Sequence, residues 1–149
     1  MDHVNHMPYR ILDTVATADI AFEAWDVEIE KLFSNSADAL MSVMVNDIET
    51  ISERNQLLLE KENKFLDMLL FQVLEELIFL KDSKQMFYRI KKAEILQSEN
   101  MMYFSGILSG EKINSAKHMM LIDVKAVTLH DFYVKKDGPL WKTLITLDI

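Results

Sequence analysis

The spacing of hydrophobic residues changes halfway along the chain, and this change constrains the fold more than any other feature. Apolar side chains recur at helical spacing over residues 26–45, and they cover most of the surface of a second predicted helix over 62–81. Strands are predicted before and between these helices, in residues 20–25 and around 56–60. From Gln85 onward apolar and polar residues alternate, as in strands joined by hairpins. The sequence therefore predicts an α+β two-layer sandwich, with two main helices packed on a mainly antiparallel sheet.

Composition predicts one globular domain over residues 1–149. Half of the residues are hydrophobic and 27% are charged, a balance typical of folded rather than disordered chains. The three glycines and two prolines indicate short loops and no linker. Cysteine is absent, which excludes disulfides, thiolate metal sites and a cysteine nucleophile, and favours the cytoplasm as the location.

Charge and hydropathy argue against two classes of partner. The most apolar stretch, residues 65–80, is interrupted by four polar or charged side chains, whereas a membrane span needs about 20 mainly apolar residues. The amino terminus lacks the basic-then-apolar pattern of a signal peptide. The formal net charge is −8, so the chain lacks the excess of Lys and Arg that neutralises phosphates. We therefore expect no membrane partner and no direct high-affinity binding of nucleic acid.

The carboxy-terminal segment, residues 124–149, predicts a hairpin whose second strand runs into Asp148. Asp137-Gly138 is a strong signal for a tight turn, because glycine readily takes the positive φ that such turns require. With that turn, Val127 would face Asp148. A turn longer by one residue would reverse the face of every side chain, and Pro139 leaves that alternative open.

The same hairpin predicts which residues surround Asp148. Those expected on its face are Lys125, Val127, Leu129 and Asp131, whereas His130 would point to the other side. Asp148 and the carboxylate of Ile149 would place negative charge at the end of a sheet. This arrangement suggests a cation site or a docking point for a basic partner.

Five groups of residues occur in order along nearly the whole chain. They are Thr17–Ala24 (TADIAFEA), Gly110-Glu111, Lys117-His118, Val124–Thr128 (VKAVT) with His130-Asp131, and Leu147-Asp148-Ile149. In this order and spacing the five groups resemble the archease family, although no single group would suffice.

The resemblance implies an accessory role rather than an enzyme. Archeases are small acidic proteins that assist RtcB-type RNA ligases, which join RNA ends carrying a 3′-phosphate to 5′-hydroxyl ends with GTP and manganese. Such ligases serve tRNA splicing and RNA repair. The chain is therefore expected to promote guanylylation of the ligase's active-site histidine, and so multiple turnover.

The resemblance also implies site residues. Asp19 and Asp148 match the family's metal-binding aspartates, and Ile149 would add a main-chain oxygen. These hard oxygen ligands suit a divalent cation, with calcium expected first and Mg²⁺ or Mn²⁺ as alternatives. Lys125 matches the lysine of the VKAVT segment and is expected to contact the partner. The family usually has a histidine where this chain has Ala16, and two extra residues precede that position.

Further expected partner contacts are Asp13, which could replace the missing histidine, together with His118 and Asp131. For His118 and His130 a structural role remains the alternative to a partner contact, and catalysis is disfavoured because no base–nucleophile pair is visible in the sequence. Two other functions stay open: a metal-dependent hydrolase that works alone, and a binding module of the same fold whose ligand is unrelated to RNA ligation. The absence of a P-loop or a nucleophile elbow disfavours the hydrolase.

Overall fold

A computed structural model describes residues 8–12 and 19–149 of this chain. Its elements, in chain order, are β1 (Tyr9–Leu12), β2 (Asp19–Asp26), α1 (Ile29–Met44), a 3₁₀ turn (Ile48–Thr50), β3 (Asn55–Asn63), α2 (Leu66–Lys84), β4 (Met86–Ser98), β5 (Met101–Lys112), β6 (Ala126–Asp137) and β7 (Leu140–Asp148). Within these residues, no helix is long and apolar enough to cross a membrane.

The strands form two antiparallel sheets, and the two helices pack on them. The four-stranded sheet has the order β1-β2-β7-β6, and the three-stranded sheet has the order β3-β5-β4. The predicted α+β class, with two helices on antiparallel strands, is confirmed. The division into two sheets was not predicted, because alternation along a strand does not tell which neighbour the strand pairs with.

The core lies between the helices and the sheets. From α1 the fully buried side chains include Leu32, Phe33 and Leu40, which belong to the predicted apolar stripe. Phe33 stacks on Phe104 of β5 with ring centroids 5.5 Å apart, so α1 also contacts the three-stranded sheet. The second helix buries leucines on several sides, as its nearly continuous apolar sequence predicts.

Both helices begin later than predicted, for local reasons. The segment before α1 continues β2 to Asp26, whose carboxylate accepts a hydrogen bond from the Glu28 N–H. The segment before α2 belongs to β3, and the Asn63 side chain accepts a hydrogen bond from the Phe65 N–H. Such short side-chain-to-backbone bonds compete with the first turn of a helix and favour a turn instead.

The predicted register of the β6–β7 hairpin is wrong. Asp137 pairs with Leu140, so the turn consists of Gly138 and Pro139, with φ = 63° at Gly138. Proline lacks an N–H and is better tolerated in a turn than in a ladder of hydrogen bonds, which moves the turn by one residue.

A bulge in β6 changes the register of the same hairpin a second time. Four residues of β6, between Thr128 and Tyr133, lie opposite a single residue of β7, and Asp131 within them has φ = 53°. Beyond the bulge Val127 faces Leu147, and Ala126 faces Asp148. Val127 and Leu147 are both buried, so the bulge keeps apolar side chains in the core after the shift of the turn.

Candidate metal and partner-binding site

The two central strands of the four-stranded sheet bring Asp19 and Asp148 together. Asp19 begins β2, Asp148 ends β7, and the two residues are direct partners in the antiparallel register. Directly opposed residues in such a ladder have Cα atoms roughly 4.5–5.5 Å apart. Both residues are partly buried. Because two carboxylates on one face of a sheet repel each other, this position favours a cation or a basic group.

The neighbouring strand completes the row of residues at this end of the sheet. Ala126 of β6 faces Asp148 on the side of β7 opposite Asp19. The Lys125 N–H donates a 2.8 Å hydrogen bond to the Asp148 carbonyl oxygen. Ile149 follows directly and is partly buried. The oxygen donors collected here are carboxylates and main-chain carbonyls, which suit Ca²⁺, Mg²⁺ or Mn²⁺ better than zinc.

The site does not contain enough protein ligands for a complete coordination shell. Within residues 8–12 and 19–149, no three His, Asp or Glu side chains lie close enough together to hold a metal ion. Calcium takes 6–8 oxygen ligands. An ion at Asp19 and Asp148 would therefore need main-chain oxygens, water or groups of a partner molecule.

The observed register corrects the predicted surroundings of Asp148. Lys125 and Val127 are each one position away from its partner Ala126, so alternation does not place them on its face. Lys125 is adjacent through its backbone, and its side chain is exposed. Asp131 lies in the bulge, where alternation is interrupted, and its carboxylate is 3.3 Å from the exposed His130 ring.

His118 lies inside the protein. Its side chain is fully buried, with Nε2 at 2.9 Å from the Glu111 carboxylate and Nδ1 accepting a 3.0 Å hydrogen bond from the Asn114 N–H. Because Nδ1 accepts, the proton is on Nε2 and is donated to Glu111. Of the two roles considered for His118, this geometry supports the structural one and contradicts a direct contact of its ring with a partner.

Glu111 is the centre of the hydrogen bonds around His118. Its carboxylate accepts hydrogen bonds from the Lys117 ammonium at 2.6 Å and from the Ser52 N–H at 2.9 Å, and the Arg54 guanidinium lies 3.5 Å away. Burial raises the pKa of Glu111, but these hydrogen bonds, with that from His118, outweigh it and lower the pKa from 4.5 to about 2. The ionised carboxylate thus joins the loop after β5 to the segment before β3.

The second helix holds the segment at the start of β6, which lies beside Asp148. The buried Lys81 ammonium donates to the Val124 carbonyl oxygen at 2.8 Å and to the Asp123 carboxylate at 2.5 Å. Six residues earlier in α2, the Glu75 carboxylate accepts a 2.6 Å hydrogen bond from the Val127 N–H. Two side chains of α2 therefore position the backbone on both sides of Lys125.

Sequence reasoning did not identify these supporting residues as part of the site. Lys81 follows the buried Leu77 by four positions, so it falls on the apolar side of α2, and an isolated lysine there indicates a buried ion pair. For Glu75, no local signal in the sequence reveals its bond to Val127 of a distant strand. Asp13, predicted to contact the partner, lies outside the described residues.

Comparison with known proteins assigns the whole described chain to one group. The family model of the Archease protein family matches residues 9–149. An archease of Pyrococcus furiosus is 33% identical over 135 residues, covering 89% of this chain and 94% of that protein. An archease of Archaeoglobus fulgidus is 31% identical over 144 residues, covering 96% of this chain and all of that protein.

Solved structures agree with the fold. The solution structure of protein 1598 of Methanobacterium thermoautotrophicum has a TM-score of 0.83 at 27% identity, and the match covers 96% of this chain and 99% of that one. The crystal structure of a Thermotoga maritima archease, described as a possible chaperone, has a TM-score of 0.55 at 20% identity. The latter match covers 92% of this chain and 95% of that one and supports the fold alone.

Proposed function

This chain belongs to the archease family, and on that premise we propose that it is a protein cofactor that activates an RtcB-type RNA ligase. The ligase, rather than this chain, would join RNA ends in tRNA splicing and RNA repair. The observation that carries the proposal is the direct pairing of Asp19 with Asp148 at one end of the sheet, in a chain of net charge −8. Such an end fits beside the metal ions and nucleotide of a basic active site.

The step to be promoted is guanylylation of the ligase. A histidine nitrogen of the ligase attacks the α-phosphorus of GTP, an N–P bond forms, and pyrophosphate leaves with the electrons of the broken P–O bond. Positioning and electrostatic stabilisation dominate the catalysis of phosphoryl transfer. The paired carboxylates, with a divalent cation such as Ca²⁺, would help to place the metal and the phosphates for this attack.

A hydrolase that works alone is the weaker alternative. Within the described residues, His118 is buried with both ring nitrogens engaged, so it is not available as a base for an external substrate. Asp19 and Asp148 lie at a sheet end and do not line the cleft of about 320 Å³ near the hairpin turn, which includes Trp25 and Lys142. Hydrolysis of GTP or RNA by the isolated chain would nevertheless favour this alternative.

Single-turnover guanylylation tests the proposal directly. An RtcB-type ligase from the same source is mixed with labelled GTP, Mn²⁺ and the wild-type chain or its Asp19→Asn and Asp148→Asn variants. We expect the wild type to accelerate the appearance of the ligase–GMP adduct. Both variants should lower the maximal acceleration at least tenfold, because each removes one carboxylate and keeps the shape of the side chain.

Asp137→Asn is the matched control. Asp137 lies at the opposite end of the same hairpin, so its substitution changes the net charge equally without touching the paired carboxylates. The control should accelerate the ligase as the wild type does. No acceleration by folded wild-type chain over a range of divalent metals would refute the proposed function.

A further inference from the structure

Residues 119–122, Met-Met-Leu-Ile, form an exposed apolar segment that we call the apolar ridge. The exposed fractions are 64% for Met119, 46% for Met120, 53% for Leu121 and 37% for Ile122. In an extended segment successive side chains point to opposite sides, so burial on one side would leave only alternate residues exposed. Here all four are exposed, so apolar side chains reach solvent on both sides of the ridge.

The apolar ridge is nevertheless held in a defined position. The Leu121 N–H donates to the Met44 carbonyl oxygen at 2.8 Å, and the Asn46 N–H donates to the Met119 carbonyl oxygen at 2.8 Å. These bonds form a short antiparallel bridge between Met120 and Val45, directly after α1. A backbone fixed in this way presents its side chains without first having to be ordered, which favours binding.

The apolar ridge lies at the same end of the molecule as the paired carboxylates. Strand β2 starts at Asp19 and is followed by α1, which packs against β2 and runs back towards the start of that strand. Helix α1 ends at Met44, and the ridge is hydrogen-bonded there. Ile122 and Lys125 are only three positions apart, a span of at most about 10 Å. The Lys125 N–H is bonded to the Asp148 carbonyl oxygen. Apolar and acidic surfaces are therefore adjacent.

We propose that the apolar ridge is a docking surface for the protein that the carboxylate pair serves. This inference rests on the proposed function. It specifies a partner with an apolar pocket beside a basic, metal-containing cleft. The pocket would receive the ridge, and the cleft would receive the end of the sheet that carries Asp19 and Asp148.

The charges around the ridge favour this partner over a second copy of the chain. A twofold contact sets the same surface of both copies against itself. Asp82, Asp123 and Asp148 would then approach their own equivalents, and Lys81 and the exposed Lys125 offset only part of this negative charge. A basic cleft has no such repulsion, so the charges around the ridge favour a different protein as its occupant. Methionine side chains also adapt well to the shape of a partner pocket.

A titration separates docking from activation. The ligase is held constant while the wild-type chain, a Met119→Ser/Leu121→Ser variant, or Asp148→Asn is added, and guanylylation is followed. The ridge variant should require at least a tenfold higher concentration for half-maximal stimulation and should reach the wild-type maximum. Asp148→Asn should instead lower the maximum. Binding of fluorescently labelled chain to the ligase gives the affinity independently.

A variant with Leu58→Ser and Leu96→Ser is the matched control, because these leucines of β3 and β4 are 56% and 58% exposed and lie outside the ridge. It should titrate as the wild type does. If the ridge variant also titrates as the wild type does, the docking inference fails and the proposed function stands.

Two further outcomes would overturn the inference. If the wild-type chain neither binds nor stimulates the ligase, the proposed function itself fails. If sedimentation shows a wild-type dimer that the ridge substitutions dissociate, the ridge joins two copies of this chain instead.

Discussion

At the scale of single residues, Glu111 shows how an acidic side chain becomes a structural support. It is nearly buried, yet hydrogen bonds from Lys117, from His118 and from the Ser52 N–H make its ionised form the stable one. The Gly110-Glu111 and Lys117-His118 pairs were recognisable in the sequence only as parts of a family pattern. In the structure they contact one another and secure the loop that leads to β6, whose start lies beside Asp148.

The pKa of Glu111 predicts a loss of stability in acid. Because its folded-state pKa is lowered from 4.5 to about 2, Glu111 stabilises the fold above pH 4.5, and this contribution is lost as the pH falls towards 2. A shift of this size corresponds to about 3 kcal/mol of unfolding free energy at pH 7. Glu111→Gln should remove most of this stabilisation, and the unfolding free energy of the variant should depend less on pH over this range.

Urea unfolding at a series of pH values measures this effect. Glu62→Gln provides the control, because Glu62 is exposed on β3 and should change the unfolding free energy little. If the unfolding free energies of Glu111→Gln and the wild type change with pH in parallel, then ionised Glu111 does not stabilise the fold as its hydrogen bonds indicate.

At the scale of elements, α2 determines the position of the segment before β6. The pKa of Lys81 is lowered by burial but raised more by its bonds to Asp123 and Asp82, so the ammonium remains charged. A charged lysine with its stem in the core can hold the Val124 carbonyl oxygen only while the helix and this segment stay packed together.

Lys81→Met should therefore loosen the start of β6. Losing the bond to Val124 should cost about 1–2 kcal/mol of unfolding free energy, since the carbonyl oxygen is left without that donor. The Lys125 amide, bonded to Asp148, should exchange hydrogen faster in the variant. Lys84→Met in the same final turn is the control, because Lys84 is exposed. Unchanged exchange at Lys125 would contradict this role for Lys81.

From the pairing of β2 with β7 we expect Asp148→Asn to have opposite effects on stability without and with divalent metal. Without divalent metal, Asp148→Asn should raise the unfolding free energy by about 0.2–1 kcal/mol, because it removes repulsion from the opposed Asp19. With millimolar Ca²⁺ the wild type should be stabilised and the variant should not, because a carboxylate ligand is lost. Thermal unfolding with and without Ca²⁺ checks both signs. Equal stabilisation of both proteins by Ca²⁺ would place the ion elsewhere.

At the scale of the whole molecule, the net charge of −8 affects encounter with a partner more than it affects the fold. Attraction between an acidic protein and a basic cleft accelerates association, and added salt screens it. The apolar ridge should act differently, because burial of apolar side chains is not weakened by salt in this way.

Stopped-flow measurements with the ligase can separate the two contributions. The association rate of the wild-type chain should fall about tenfold between 50 and 500 mM salt, an order of magnitude typical of electrostatic steering. The ridge variant should keep this salt dependence and dissociate faster. An association rate independent of salt would show that the acidic surface does not steer the encounter.

The sequence alone determined the secondary structure and the family. Helical and alternating periods are local properties, so α1, α2, β2 and β3 were predicted to within a few residues. The identities of Asp19 and Asp148 were also readable from the sequence, because both belong to ordered motifs. The proposed metal site at these residues remains a prediction from the family resemblance, to which the structure adds their pairing.

Only the tertiary structure decided which residues meet. The partner of Asp148 depends on a turn at Gly138-Pro139 and on a bulge in β6, and both respond to burial in the core rather than to local pattern. Two hydrogen bonds illustrate this, one between Ser52 and Glu111 and one between Lys81 and Asp123. Each joins residues that are 42 or more positions apart in the chain. No local period encodes such contacts, because each depends on how separate elements pack against one another.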